Sequence, residues 1–227
     1  MDATAISSLG VPVLCIDTCS ILDIMRDPTR EGARPHERQA AIDLVAHAEA
    51  GRLVCLVAQQ VSTEFADHDL SVQDEATRKL AKLRLQIEQV NKIATIYGAP
   101  STVSFHHLDD HVVRARAVVE RWLSQLDLVT PSSAAPGKAF ARMNAGIAPA
   151  KRGKESSKDC LVYETYLEAA SELRAKSLTT PIVFLSSNTN EYLEQRRIVK
   201  PETLAEFSPL AISYSPNMAA AKNELGF

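Results

Sequence analysis

The sequence predicts an α/β protein, a three-layer sandwich whose central, mostly parallel sheet carries helices on both faces, with an αα-hairpin inserted. Three observations carry this. Short apolar runs at residues 13–16 (VLCI), 53–58 (LVCLVA) and 181–185 (PIVFL) read as strands buried on both faces. Polar turns and segments of helical periodicity follow them. Two further helical segments lie between the second and third strand–helix units, as an inserted hairpin requires.

The 227 residues, 45% hydrophobic and 23% charged, suit one elaborated soluble domain spanning 1–227 and exclude a disordered or fibrous chain. A formal charge of −3 excludes coating of nucleic acid by bulk charge and leaves room for a local basic patch. The opening MDATAISSLG has an acid at position 2 and no long apolar core, so no secretory leader is expected. No run of about 18 apolar residues could span a bilayer, so no membrane association is expected. Cys15, Cys19, Cys55 and Cys160 form no CxxC pair and are expected as free thiols in a reducing cytoplasm.

In chain order, the strand at 13–16 ends on Asp17. An acid at the carboxyl end of such a strand sits where open α/β sheets bind ligands, although an acid there can also cap the next helix. Thr18 and Ser20 are further cap candidates, and Ile21, Leu22, Ile24 and Met25 supply the helix's apolar face. The polar, proline-containing stretch 26–39 reads as a loop. Ala40, Ala41, Leu44, Val45 and Ala48 recur at helical spacing up to Gly51, a helix-stop residue. After the second strand, Val61, Phe65 and Leu70 begin a helix carrying Glu64 in its first turns.

Residues 71–97 and 112–126 have the apolar spacing of two helices and define the insertion, about 71–127. The HHLDDH between them (106–111) lies at a helix start, where Asp109 and Asp110 suit the dipole, rather than reading as a metal site. Residues 131–158 read as a mobile basic loop, with Lys138, Arg142, Lys151, Arg152, Lys154 and Lys158 against Glu155 alone. The loop runs into Asp159, which opens another helix. Glu164 lies five positions on and should project about 140° away. The strand at 181–185 ends in a polar turn holding Asn188 and Glu191. A short helix, a strand at 210–214 and a terminal helix complete the chain.

Acids or amides therefore recur where a strand ends or a helix begins: Asp17, Glu64, Asp159, and Asn188 with Glu191. Carboxylates gathered in one crevice repel unless a divalent cation neutralises them, and Mg²⁺ or Mn²⁺ favour such oxygen donors. A bound ion of this kind activates water against a phosphate ester.

Four motifs, CIDTCSIL, VSTEFADH, SSKDCLVYE and FLSSNTNEYL, resemble in order those of the PIN domain nucleases. The resemblance implies a PIN-like three-layer fold and endoribonuclease activity. It implies Mg²⁺ or Mn²⁺ held by Asp17, Glu64 and Asp159, with Asn188 and Glu191 completing the catalytic set. It implies RNA as the partner, with Lys151, Arg152, Lys154 and Lys158 as its contacts. A role as the toxin of a toxin–antitoxin pair, with an antitoxin as protein partner, and a homodimer stay open. The chain departs from the pattern at the fourth position, where Asn188 stands in place of an aspartate. Two rival readings are a phosphatase of the haloacid dehalogenase class, which lacks its second acid because position 19 is Cys19, and a PIN-like RNA-binding protein without catalysis.

Overall fold

The computed structural model describes residues 1–99, 103–151, 153, 155–195 and 197–227. In order the elements are α1 (Ala3–Leu9), β1 (Val13–Ile16), α2 (Thr18–Leu22), α3 (Pro35–Glu49), β2 (Val54–Ala58) and α4 (Gln59–Ile96). Then come α5 (His111–Ser124), β3 (Leu126–Val129), α6 (Ala135–Ala145), α7 (Ser157–Ala175), β4 (Ile182–Leu185) and α8 (Thr189–Tyr192). A ribbon of β5 (Leu193–Glu194) and β6 (Ile198–Val199), α9 (Pro201–Phe207), β7 (Ile212–Ser215) and α10 (Met218–Glu224) close the chain.

The central sheet has the order β3-β2-β1-β4-β7 and every pairing in it is parallel. Right-handed crossovers put α3 and α5 on one face and α7 and α9 on the other. All residues of β1, β2 and β4 are buried, as their unbroken apolar runs require. From β1 the chain moves outward to β2 and β3, then returns to lay β4 on the opposite side of β1. The carboxyl ends of β1 and β4 thus flank a topological switch point, where such sheets open a crevice. The Tyr166 hydroxyl of α7 fastens that edge from below, donating to the Ile16 carbonyl at 2.5 Å and accepting from the Ala58 amide at 3.0 Å.

The structure corrects three expectations. The helix holding Glu64 does not end before residue 71: α4 is one helix of 38 residues, because no glycine or proline interrupts 59–97. Its buried residues, Val61, Phe65, Val72 and Ala76, all lie in its first half. The far half is covered on one side by the returning chain, through Asn91 with Val103 (2.9 Å) and Arg84 with Asp109. The proposed insertion also contains an edge strand, β3, whose short LDLV follows directly on the helical periodicity of α5. Residues 131–158 are not a loop throughout. Pro136 in the first turn and Gly146 at φ +66° frame the helix α6. Sequence reasoning also passed over α1, which Asp2 caps by accepting from the Thr4 and Ala5 amides, both at 3.0 Å.

Candidate active site

Asp17 is both a helix cap and an acid at the strand edge. With extended backbone (φ −93°, ψ 155°) it N-caps α2, and its Oδ1 accepts from the Thr18 amide at 2.7 Å. Its Oδ2 accepts from the Ser186 hydroxyl at 2.7 Å and has Cys19 Sγ at 3.2 Å. The register explains the partner: Ile16 lies beside Leu185, so the residues following them, Asp17 and Ser186, meet. Thr18, expected as a cap, is the first residue of α2 and does something else. While its amide holds Asp17, its hydroxyl donates to Glu64 Oε2 at 3.0 Å. One threonine therefore couples the acids after β1 and β2. Gln60 steadies the other Glu64 oxygen at 3.3 Å.

Asp159 lies in the first turn of α7. Burial pushes its carboxyl up to about 7, and the charges of Glu191, Asp17 and Glu64 push in the same direction against Lys151. Asp17 follows β1, Glu64 lies just after β2, Glu191 follows β4, and Asp159 opens the helix that runs back to β4, so the four acids lie toward the carboxyl edge of the sheet.

Glu191 sits on α8 and is only 9% exposed. Among the charged groups acting on Asp159 it has the largest effect. Asn188 is half-buried, and its main-chain amide donates to the Ser186 hydroxyl at 3.3 Å. The turn after β4 thus brings its charge to the crevice through Glu191.

The basic residues separate. Half-buried Lys151 faces Asp159, and Lys158 is exposed in the first turn of α7. Arg152 and Lys154 lie outside the described residues. Lys138 pairs with Glu168 at 2.8 Å. Arg142 is buried and pairs with Glu164 at 2.7 Å and with Glu206 at 2.6 Å. Glu164 therefore faces away from the acids, as its spacing from Asp159 predicts. Sequence reasoning missed Thr18 as a bridge and Ser186 as the partner of Asp17. The signal available was a hydroxyl residue beside these two strand ends, Thr18 next to Asp17 and Ser186 directly after β4.

All four acids offer hard oxygen donors, and half-buried Lys151 opposes their mutual repulsion, a donor set that fits a divalent cation such as Mg²⁺ or Mn²⁺. Among the described residues, no three His, Cys, Asp or Glu side chains stand close enough to ligate one ion as they are. Asp17 and Glu64 are each held by the hydrogen bonds given above. To share an ion, the acids would have to exchange some of these bonds for it.

A family model of the PIN domain matches residues 14–192, from β1 to α8. The chain belongs to the PIN domain family. The matched span contains all four acids of this PIN domain. Membership supports nuclease activity in general and suggests RNA binding, and PIN domains generally use divalent metal ions. No curated protein and no solved structure matches the chain. Among the described residues, no helix is long and apolar enough to cross a membrane.

The raised Asp159 carboxyl has a measurable consequence in this PIN domain. Because its folded-state value of about 7 exceeds the ordinary 3.8, folding favours the protonated form. The stability this contributes is complete below about pH 4 and is lost as pH rises towards 7. Discounted for partial exposure, the loss is about 2 kcal/mol, or about 4–8 °C of thermal midpoint in a chain this long. In chelator between pH 5 and pH 8, Asp159→Asn should escape that part of the fall shown by the wild type. Parallel curves for the two proteins would show that Asp159 is not under this strain.

Proposed function

We propose that the protein is a metal-dependent endoribonuclease that hydrolyses phosphodiester bonds of RNA with Mg²⁺ or Mn²⁺. The observation that best supports this is Thr18, which ties the acids after β1 and β2 together beside the switch point of the sheet, its amide on Asp17 and its hydroxyl on Glu64. Asp17, Glu64 and Asp159 would hold the ion. When bound, it polarises the phosphate and makes water a competent nucleophile at neutral pH. Glu191 accepts the proton of the attacking water. Thr18 and Ser186 hold the carboxylates of Glu64 and Asp17 in place. Lys151 and Lys158, with Arg152 and Lys154 of the same segment, contact the RNA phosphates, and Lys151 also offsets the acids. The role of toxin in a toxin–antitoxin pair, paired with an antitoxin, is a narrower form of this reading supported by family resemblance alone.

Purified protein should cleave a mixed RNA pool with Mg²⁺ or Mn²⁺ and stop in chelator. RNA binding without cleavage in any divalent ion would replace the nuclease with a binding protein. The fourth position has its own test. Glu191→Gln should lower cleavage by about 10²-fold, the lower end for loss of a general base. Asn188→Ala should cost much less, because the bond from Asn188 to Ser186 runs through the main chain. The reverse order of effects would return the fourth role to Asn188.

A further inference from the structure

A cavity of about 320 Å³ lies between the 23–34 loop, α3 and α5. This is the size of a small-ligand site. One wall is apolar, with Ile24, Ile42 and Val118. The charged groups lining it are all cationic: Arg34, Arg38 and Arg114. His111 stands among them, and burial, then Arg114 and Arg38, hold its pKa below the ordinary value. Its ring nitrogens can donate or accept hydrogen bonds.

Arg38 is the decisive residue. One terminal nitrogen of its guanidinium, Nη2, is buried with no hydrogen-bond partner among the described residues. Asp23 and Glu37 are near enough to act on its charge. Asp23, however, is taken by Arg30 at 3.0 Å and Arg26 at 3.4 Å. A buried charged donor without an acceptor is costly to maintain, and an anionic ligand removes that cost. Arg38 and Ile24 also line a smaller neighbouring cavity whose walls include Ser20 and Ser187. There the Ser187 amide donates to the Ser20 hydroxyl at 3.1 Å, one residue from Ser186, which holds Asp17. The cationic cavity thus shares Arg38 and Ile24 with a cavity that reaches the turn after β4.

We propose that this cavity binds a nucleoside phosphate, with the phosphate on Arg38 and the base against the apolar wall. Unstacked bases commonly stack on guanidinium planes and histidine rings, and Arg114 and His111 line the cavity beside the apolar wall. The ligand is either one unit of the RNA strand being cut, which rests on the function proposed above, or a free nucleotide.

The test is calorimetric titration of the full chain in chelator, with adenosine 5′-monophosphate as the probe. The monophosphate should bind, and adenosine or inorganic phosphate alone should bind at least about tenfold more weakly. Arg38→Met keeps the packed stem and removes the buried charge. It should weaken monophosphate binding at least about tenfold while the thermal midpoint holds or rises. Ala33→Trp, which fills the cavity from the loop side, should also block binding. Wild type that does not bind the monophosphate, or an Arg38→Met variant that binds it equally well, overturns the proposal. Competition between the monophosphate and labelled RNA identifies the strand as the source, and binding without competition identifies a free nucleotide. Metal-dependent cleavage without monophosphate binding removes this site alone, and monophosphate binding without cleavage removes the nuclease reading alone.

Discussion

Asp17→Asn should abolish RNA cleavage, lowering the rate by about 10³-fold or more while leaving the protein folded. The substituted amide still presents an oxygen to the Thr18 amide, and it can donate to the Ser186 hydroxyl where the carboxylate accepted from it. The cap and the register of β1 beside β4 therefore survive. What disappears is a negative charge among the four acids, on which cation binding depends. A bound divalent ion contributes several kcal/mol of transition-state stabilisation, and each 1.36 kcal/mol is about a factor of ten in rate. The thermal midpoint in chelator should stay level or rise, because one source of repulsion on Asp159 is gone. Cleavage within tenfold of wild type, at equal protein and saturating Mg²⁺, would show that Asp17 is only a helix cap.

The largest effect on stability should come from Arg142→Ala. Arg142 on α6 donates to Glu164 at 2.7 Å, to the Ala148 carbonyl at 2.6 Å and to Glu206 at 2.6 Å, and it lies 4.4 Å over the ring of Tyr163. Removing it leaves the buried Glu164 carboxylate without its counter-charge, a change that costs about 3–5 kcal/mol. At about 2–4 °C per kcal/mol for a chain of this length, the melting temperature should fall by about 6–20 °C. A double variant, Arg142→Met with Glu164→Gln, should recover much of the loss, since neither buried charge then remains. A single variant that melts within about 2 °C of wild type would show that the pair contributes nothing net.

How much of this was legible in the sequence differs from element to element. The strands of the sheet centre announced themselves as unbroken apolar runs, and with them Asp17 and the turn before Glu191, because burial on both faces leaves few other readings. Glu64 and Asp159 were legible as acids at helix starts, but their meeting was not, since it depends on the order β3-β2-β1-β4-β7. The edge strand β3 was hidden because only half of its residues need be apolar and the periodicity of α5 runs up to it. The segment around Arg142 looked like a solvated loop because charge in sequence carries no sign of its partner. Glu164 and Glu206, which neutralise Arg142, lie 22 and 64 residues away. The weight of Glu191 over Asn188 likewise depends on which side chain the short helix α8 turns inward.

The helix that carries Glu64 behaves as a clamped beam. Its 38 residues extend about 57 Å, and the clamp is the buried series Val61, Phe65, Val72 and Ala76. Glu64 stands inside that clamped length, while exposed Leu85, Val90, Ile93 and Ile96 ride on the outer span, braced on one side only, by the returning chain. A load applied at the tip meets the brace at Arg84 and Asn91 and then the buried clamp before it reaches Glu64. A partner that grips the helix beyond Asn91 should therefore leave undisturbed the carboxylate that Thr18 holds at the other end.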